Sequence, residues 1–64
     1  MTWIATRERL PTKEDAGDFD HVLVLMLPYG LRHYETYLRL PRYVNPDFHT
    51  HWARLPDRPE EEHG

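Results

Sequence analysis

The sequence predicts a small, β-rich α+β domain in which a three- or four-stranded antiparallel sheet carries at most one short helix. Three observations lead to this fold class. The chain has 64 residues, which is enough for one domain. Its β-branched and aromatic residues cluster in short segments, as in strands. Proline or glycine separates these segments, as in turns. We expect the domain to span residues 1–56.

The first segment, residues 2–6, is expected to be a short extended strand. Pro11 pushes Leu10 toward an extended conformation and ends this region. Thr12 is then suited to cap a short helical turn over residues 13–16. Gly17 is expected to end that turn.

The clearest strand covers residues 21–27, because its apolar run is continuous and rich in β-branched side chains. Such a run indicates burial on both faces and a central position in the sheet. The residues that follow, 28–30, read Pro-Tyr-Gly and predict a turn. The chain then returns through residues 31–38. Tyrosine and threonine favour a strand there, and therefore a hairpin, although Leu31, Tyr34 and Leu38 also align on one face of a helix.

The last part of the domain is expected to be a loop with two prolines over residues 40–47, followed by a strand over residues 49–53. Residues 57–64 are polar, charged and proline-bearing, so we expect a disordered acidic tail. The side chains predicted to be largely buried are Trp3, Ile4, Val22, Val24, Leu38 and Trp52.

The composition narrows the cellular setting and the class of partner. The chain has no cysteine, which excludes disulfides and thiolate ligands and fits a cytoplasmic protein. Its longest apolar run is far shorter than the roughly 20 residues that span a bilayer, so we expect no membrane association. The formal net charge is −3, which disfavours direct nucleic-acid binding and favours a basic partner surface.

The residue types also disfavour catalysis. Serine and cysteine are both absent, and the carboxylates cluster where a solvated loop or the tail is expected. The three glycines are far apart, so they form no phosphate-binding loop. We therefore expect no enzyme activity and no cofactor.

The weak metal candidates are His49 and His51, which would share one face of a strand. Zinc usually needs three or four protein ligands. We therefore expect no metal site, with His51 packed beside Trp52 and His49 exposed.

Three segments resemble a phage and prophage family known as domain of unknown function 551. Residues 3–11 resemble its opening W-I-x-x-x-E-R-L-P, residues 20–24 its D-x-V-L-V strand, and residues 50–56 its closing T-H-W-x-x-L-P. The segment 31–43 departs from the family because it is rich in arginine and tyrosine. The resemblance implies a phage or mobile-element setting and no known activity. It also suggests that the two tryptophan-bearing ends pair as adjacent strands with Trp3 and Trp52 in one core.

In that setting, a small acidic protein is expected to inhibit a host defence complex in the host cytoplasm, and an anti-CRISPR role against an effector subunit is the specific hypothesis. The carboxylates would imitate a nucleic-acid backbone on the face that binds the partner. One alternative is a structural or accessory phage module that self-associates through a tyrosine-rich edge strand. Another is a small nucleic-acid-binding hairpin protein. We expect the chain to be a monomer or a homodimer. The expected partner-binding residues are Glu14, Asp15, Asp18, Asp20 and Glu35.

Overall fold

A computed structural model describes residues 2–27 and 33–57. Four strands form one antiparallel sheet: β1 (Ile4–Ala5), β2 (Val22–Met26), β3 (Glu35–Arg39) and β4 (His49–Ala53). Two 3-10 helices complete the described part, η1 (Lys13–Phe19) and η2 (Pro41–Tyr43). The strand-rich α+β class predicted from the sequence is therefore confirmed.

The sheet order is β1-β4-β2-β3, so β2 lies inside the sheet as its continuous apolar run predicted. β2 and β3 form an antiparallel hairpin in which Leu23 pairs with Leu38 and Val24 with Tyr37. This pairing confirms the strand rather than the helix for residues 35–39. The predicted turn at residues 28–30 lies outside the described residues, and so do residues 58–64 of the predicted tail.

The two ends of the domain pair as expected. Ile4 lies opposite Trp52 and Ala5 opposite His51 in the antiparallel β1–β4 pair. The Thr6 backbone N–H continues this pairing by donating to the Thr50 carbonyl at 3.0 Å. The prediction that Trp3 joins Trp52 in one core is wrong, because Trp3 precedes the first strand residue and is 38% exposed.

The core is small and lies on one face of the sheet. Val22, Val24 and Trp52 are fully buried, and Val44 packs against them from the loop after η2. Ile4 and Tyr37 flank this cluster.

Leu38 was predicted to be buried, and this prediction is wrong. Cross-strand partners project on the same side of a sheet. Tyr37 lies opposite the buried Val24 and so joins the core face, which leaves Leu38 on the other face and 52% exposed.

The segment between β1 and β2 begins as predicted, with Thr12 at the N-cap of η1. The helical geometry is interrupted at Gly17, whose φ of +57° is a conformation that glycine adopts at low cost. The segment nevertheless continues to Phe19, beyond the predicted end. Asp20 then adopts a left-handed conformation with a φ of 59°, which aspartate tolerates better than most residues, and the chain turns into β2.

Candidate functional site

Asp15 is a buried carboxylate that joins the start of η1 to the segments that follow β1 and β4. Its Oδ2 accepts hydrogen bonds from the Thr12 backbone N–H at 2.8 Å, from the Thr12 hydroxyl at 3.1 Å and from Arg9 Nη1 at 3.1 Å. Its Oδ1 accepts hydrogen bonds from Arg54 Nε at 2.7 Å and from Arg9 Nη2 at 3.4 Å. The carboxylate thus ties η1 both to the chain that follows β1 and to the chain that follows β4.

The surroundings of Asp15 keep it ionised. Burial alone would raise its pKa, but the hydrogen bonds from Arg9, Thr12 and Arg54 outweigh that effect and hold the pKa well below its ordinary value of 3.8. The side chain of Asp15 is 2% exposed. The prediction that Asp15 is displayed with the other acidic residues therefore needs correction, since it is buried and fixes the segment that carries them.

Three of the predicted binding carboxylates do lie at the surface in this segment. Glu14, Asp18 and Asp20 are exposed and follow one another along η1 and its C-cap. Glu35 is also exposed, but it belongs to β3 and lies opposite Met26, at the far end of the hairpin from Val22. A strand of that length separates the two ends by about 13 Å. The structure therefore brings together three of the five predicted residues.

The two histidines proposed as weak metal candidates point to opposite faces of the sheet. The neighbouring β2 residues Leu25 and Met26 lie opposite His51 and His49, which are two positions apart in β4. Thr50, which lies between the two histidines, is therefore the extra residue of a β-bulge. Since Leu25 and Met26 project to opposite faces, their partners do so as well. His49 is consequently buried and His51 half-buried, the reverse of the exposure that the sequence suggested for His49. Within residues 2–27 and 33–57, no group of three potential ligands is suitable for a metal ion.

His49 is held in one neutral tautomer by its neighbours. Its Nδ1 accepts a hydrogen bond from the Asn45 backbone N–H at 2.9 Å, so the ring proton lies on Nε2. Nε2 is 2.6 Å from the Tyr37 hydroxyl and donates to it, while that hydroxyl donates onward to Met26 Sδ at 3.7 Å. Burial, together with the positive charge of Arg39, lowers the pKa of His49 below its ordinary value of 6.5.

Arginine and tyrosine side chains alternate at the surface where β3 leads into η2. The Arg39 guanidinium lies 5.9 Å from the ring centres of both Tyr37 and Tyr43, and that of Arg42 lies 5.0 Å from the ring centre of Tyr43. Tyr43 is 53% exposed. All three distances fall within the range of about 6 Å for cation–π interactions.

A shallow groove of about 490 Å³ separates this arginine–tyrosine surface from η1. Charges of both signs line it, with Lys13 and Asp20 on one side and Arg42 on the other. No helix in the described ranges is both long and apolar enough to cross a membrane.

Sequence reasoning missed the partners of the two buried ionisable groups. Arg9 and Arg54 are 45 residues apart in sequence, and nothing local to either one indicates that they meet at Asp15. Tyr37 lies in the segment 31–43, whose arginine- and tyrosine-rich composition gives no sign of a hydrogen bond to His49. The S/T-x-x-D spacing of Thr12 and Asp15 was the one available signal, because it is a form of the capping box.

The fold and its surfaces define a small four-stranded domain. Two ionisable side chains are buried in the part of the chain that the structure describes, Asp15 and His49, and the domain's own residues engage both. No family model matches the chain, and no curated protein or solved structure is significantly similar to it.

Proposed function

We propose that this protein is a non-catalytic inhibitor carried by a phage or another mobile element, and that it binds a host defence complex of the CRISPR type. The observation that carries the proposal is the anchoring of η1 by Asp15. The buried carboxylate fixes a short segment whose exposed side chains include Glu14, Asp18 and Asp20.

A fixed acidic segment is suited to a groove that binds nucleic acid. Such grooves are lined with lysine and arginine, and they attract closely spaced negative charges. Because the backbone of η1 is already held by Arg9, Thr12 and Arg54, binding would order few additional residues. Less conformational entropy is then lost on association.

The use of the buried groups also supports a binding role. Asp15 accepts hydrogen bonds on both carboxylate oxygens, and both ring nitrogens of His49 are engaged. A general acid or base must reach the substrate with a nitrogen or oxygen that can exchange a proton. These two groups have no such atom available, which favours activity at the surface of the domain.

The proposal is tested with cells whose CRISPR system targets an infecting phage. The wild-type protein is expected to restore plaque formation by that phage. The triple variant E14Q/D18N/D20N is expected to lose this effect by at least about tenfold, which corresponds to about 1.4 kcal/mol of binding free energy. The matched control E8Q/D47N/D57N removes three exposed carboxylates elsewhere and should keep it.

The same variants are then compared for binding to the purified effector complex, with and without its target nucleic acid. Competition between the wild-type protein and the nucleic acid supports the proposal. Equal inhibition by the two triple variants would exclude the acidic segment as the binding surface. A wild-type protein that protects phage from none of the tested CRISPR types would overturn the inhibitor role.

A second candidate function is direct nucleic-acid binding, and the arginine–tyrosine contacts favour it. Arg39 and Arg42 flank the exposed ring of Tyr43, which is an arrangement that stacks bases and contacts phosphates. Binding of single-stranded DNA by the wild-type protein, weakened by salt and abolished in R39Q/R42Q, would support this function. Retention of DNA binding by that variant would count against it.

A further inference from the structure

The outer edge of β3 has the features of a strand that accepts another strand. β3 is the last strand in the sheet order, and among the described residues only β2 pairs with it. Four of its five residues are exposed, and its register with β2 runs without a shift from Glu35 to Arg39. β3 contains no proline. An edge of this kind presents backbone donors and acceptors that a further strand can satisfy.

The charges of β3 are placed at its two ends. Glu35 and Arg39 project on the same face, four residues apart, so about 13 Å of strand separates their Cα atoms. That distance is too long for an ion pair within the strand. Among the described residues, neither side chain takes part in a salt bridge.

Antiparallel pairing of β3 with a second copy of itself has few allowed registers. On one edge the backbone groups alternate in direction, so residues directly opposite each other must both be odd-numbered or both even-numbered. Pairing centred on Thr36 places Glu35 opposite Tyr37 of the partner. Pairing centred on Leu38 places Arg39 opposite Tyr37 of the partner. Pairing centred on Tyr37 places Glu35 of each protomer opposite Arg39 of its partner. This register alone pairs all five strand residues and both charges.

The opposite face of the same pairing buries apolar surface. Leu38 is 52% exposed and continues a row that contains its β2 neighbour Leu23. In the Tyr37-centred register, Leu38 of one protomer lies against Thr36 of its partner. A two-fold axis through Tyr37 makes every contact away from the axis occur twice, as in an isologous dimer interface.

We propose that the protein forms a symmetric homodimer in which two β3 strands pair antiparallel about Tyr37 and join the two sheets into one of eight strands. The Glu35–Arg39 pairs select the register. The inference is independent of the proposed inhibitor role, because the acidic residues of η1 take no part in the pairing.

The first test exchanges the charges. Light scattering and sedimentation of the wild-type protein should give twice the monomer mass of 7.8 kDa at micromolar concentration. Glu35→Arg and Arg39→Glu each set like charges opposite one another, and each should weaken the dimer by at least about tenfold. An equimolar mixture of the two single variants should form a heterodimer, because every opposed pair is then complementary. The double variant E35R/R39E should form a homodimer for the same reason.

Recovery of the dimer in the mixture separates the proposal from a folding defect, since two misfolded chains would not restore each other. Glu14→Arg changes the charge of η1 and should dimerise like the wild type. A wild-type protein that stays monomeric at every concentration, or a mixture of single variants that does not associate, would overturn the proposal.

The second test reads the register in a chain that has no cysteine of its own. Thr36→Cys and Leu38→Cys are each oxidised alone and then as a mixture. The Tyr37-centred register predicts efficient cross-linking only in the mixture, because Thr36 lies opposite Leu38 of the partner. Efficient cross-linking of Thr36→Cys alone or Leu38→Cys alone would show one of the other two registers and overturn this one.

Discussion

Asp15 is expected to make the largest single polar contribution to the stability of the domain, and Asp15→Asn tests this. Both oxygens of Asp15 accept hydrogen bonds, Oδ2 from Thr12 and Arg9 and Oδ1 from Arg54 and Arg9. An asparagine must direct its NH₂ group at one of these sets of donors. No orientation of the amide therefore satisfies the network, and the negative charge is lost as well.

The cost follows from the separate contacts. Loss of the carboxylate cap at Thr12 costs about 1 kcal/mol. The two arginine contacts add about 0.5–1 kcal/mol each, since the side chains of Arg9 and Arg54 are 46% and 63% exposed and solvent screens them. The expected loss is about 2–3 kcal/mol, from a total of about 3–10 kcal/mol for a chain of this length. The melting temperature should fall by about 10–20 °C.

The assay is thermal unfolding at pH 7 followed by circular dichroism, with Asp18→Asn as the control because Asp18 is exposed in the same segment. If Asp15→Asn lowers the free energy of unfolding by less than about 0.5 kcal/mol, its effect equals that of an ordinary surface substitution, and the reasoning is refuted.

The pH dependence gives a second check on Asp15. Its pKa is lowered in the folded protein, so below its ordinary pKa of 3.8 the unfolded chain binds the proton more readily than the folded one. The stability that Asp15 contributes is therefore fully present at neutral pH and declines as the pH falls below about 4. The gap between the wild type and Asp15→Asn should narrow over that range. A gap that stays constant from pH 7 to pH 2 would contradict the assignment.

Two further predictions concern the core. The pKa of His49 is lowered in the folded protein, so the wild type loses stability as the pH falls below 6.5. His49→Gln should remove this loss. Unfolding in denaturant at pH 7 and at pH 5 measures the change in stability of both proteins. An equal loss of stability in the wild type and in His49→Gln would show that other groups cause the pH dependence. Trp52→Phe should remove the short-wavelength part of the tryptophan emission and Trp3→Phe should leave it, because Trp52 is fully buried and Trp3 is 38% exposed. The same emission maximum in both variants would contradict this placement.

The strands were predictable because their signals are local. The continuous apolar run of β2 indicated a central strand, and the segment after the Pro-Tyr-Gly turn indicated β3, its hairpin partner. β4 covers the same residues that the sequence predicted, His49–Ala53. The pairing of the two ends followed from their shared tryptophan and Leu-Pro pattern, and Ile4 does lie opposite Trp52.

The side-chain environments were harder to predict because they depend on register. A shift of one residue sends every side chain of a strand to the other face of the sheet, and for β3 this decides between Tyr37 and Leu38 as the core residue. The extra residue in β4 has the same effect on His49 and His51, since a bulge leaves no signal in the pattern of residue types. The contact of Asp15 with Arg54 joins residues 39 apart, and only the folded sheet brings them together.

The contacts between the two end segments, residues 3–11 and 50–56, serve the scaffold of the domain. Arg9 belongs to the opening motif and Trp52 to the closing one, and they touch directly. The Arg9 carbonyl accepts a hydrogen bond from Trp52 Nε1 at 2.8 Å, and its guanidinium lies 4.9 Å from the indole ring centre. These motif residues therefore hold the scaffold together. The acidic part of η1 and the edge strand β3 both lie between these end segments in sequence, so the surfaces that we propose for binding are separate from the Arg9–Trp52 contacts that close the domain.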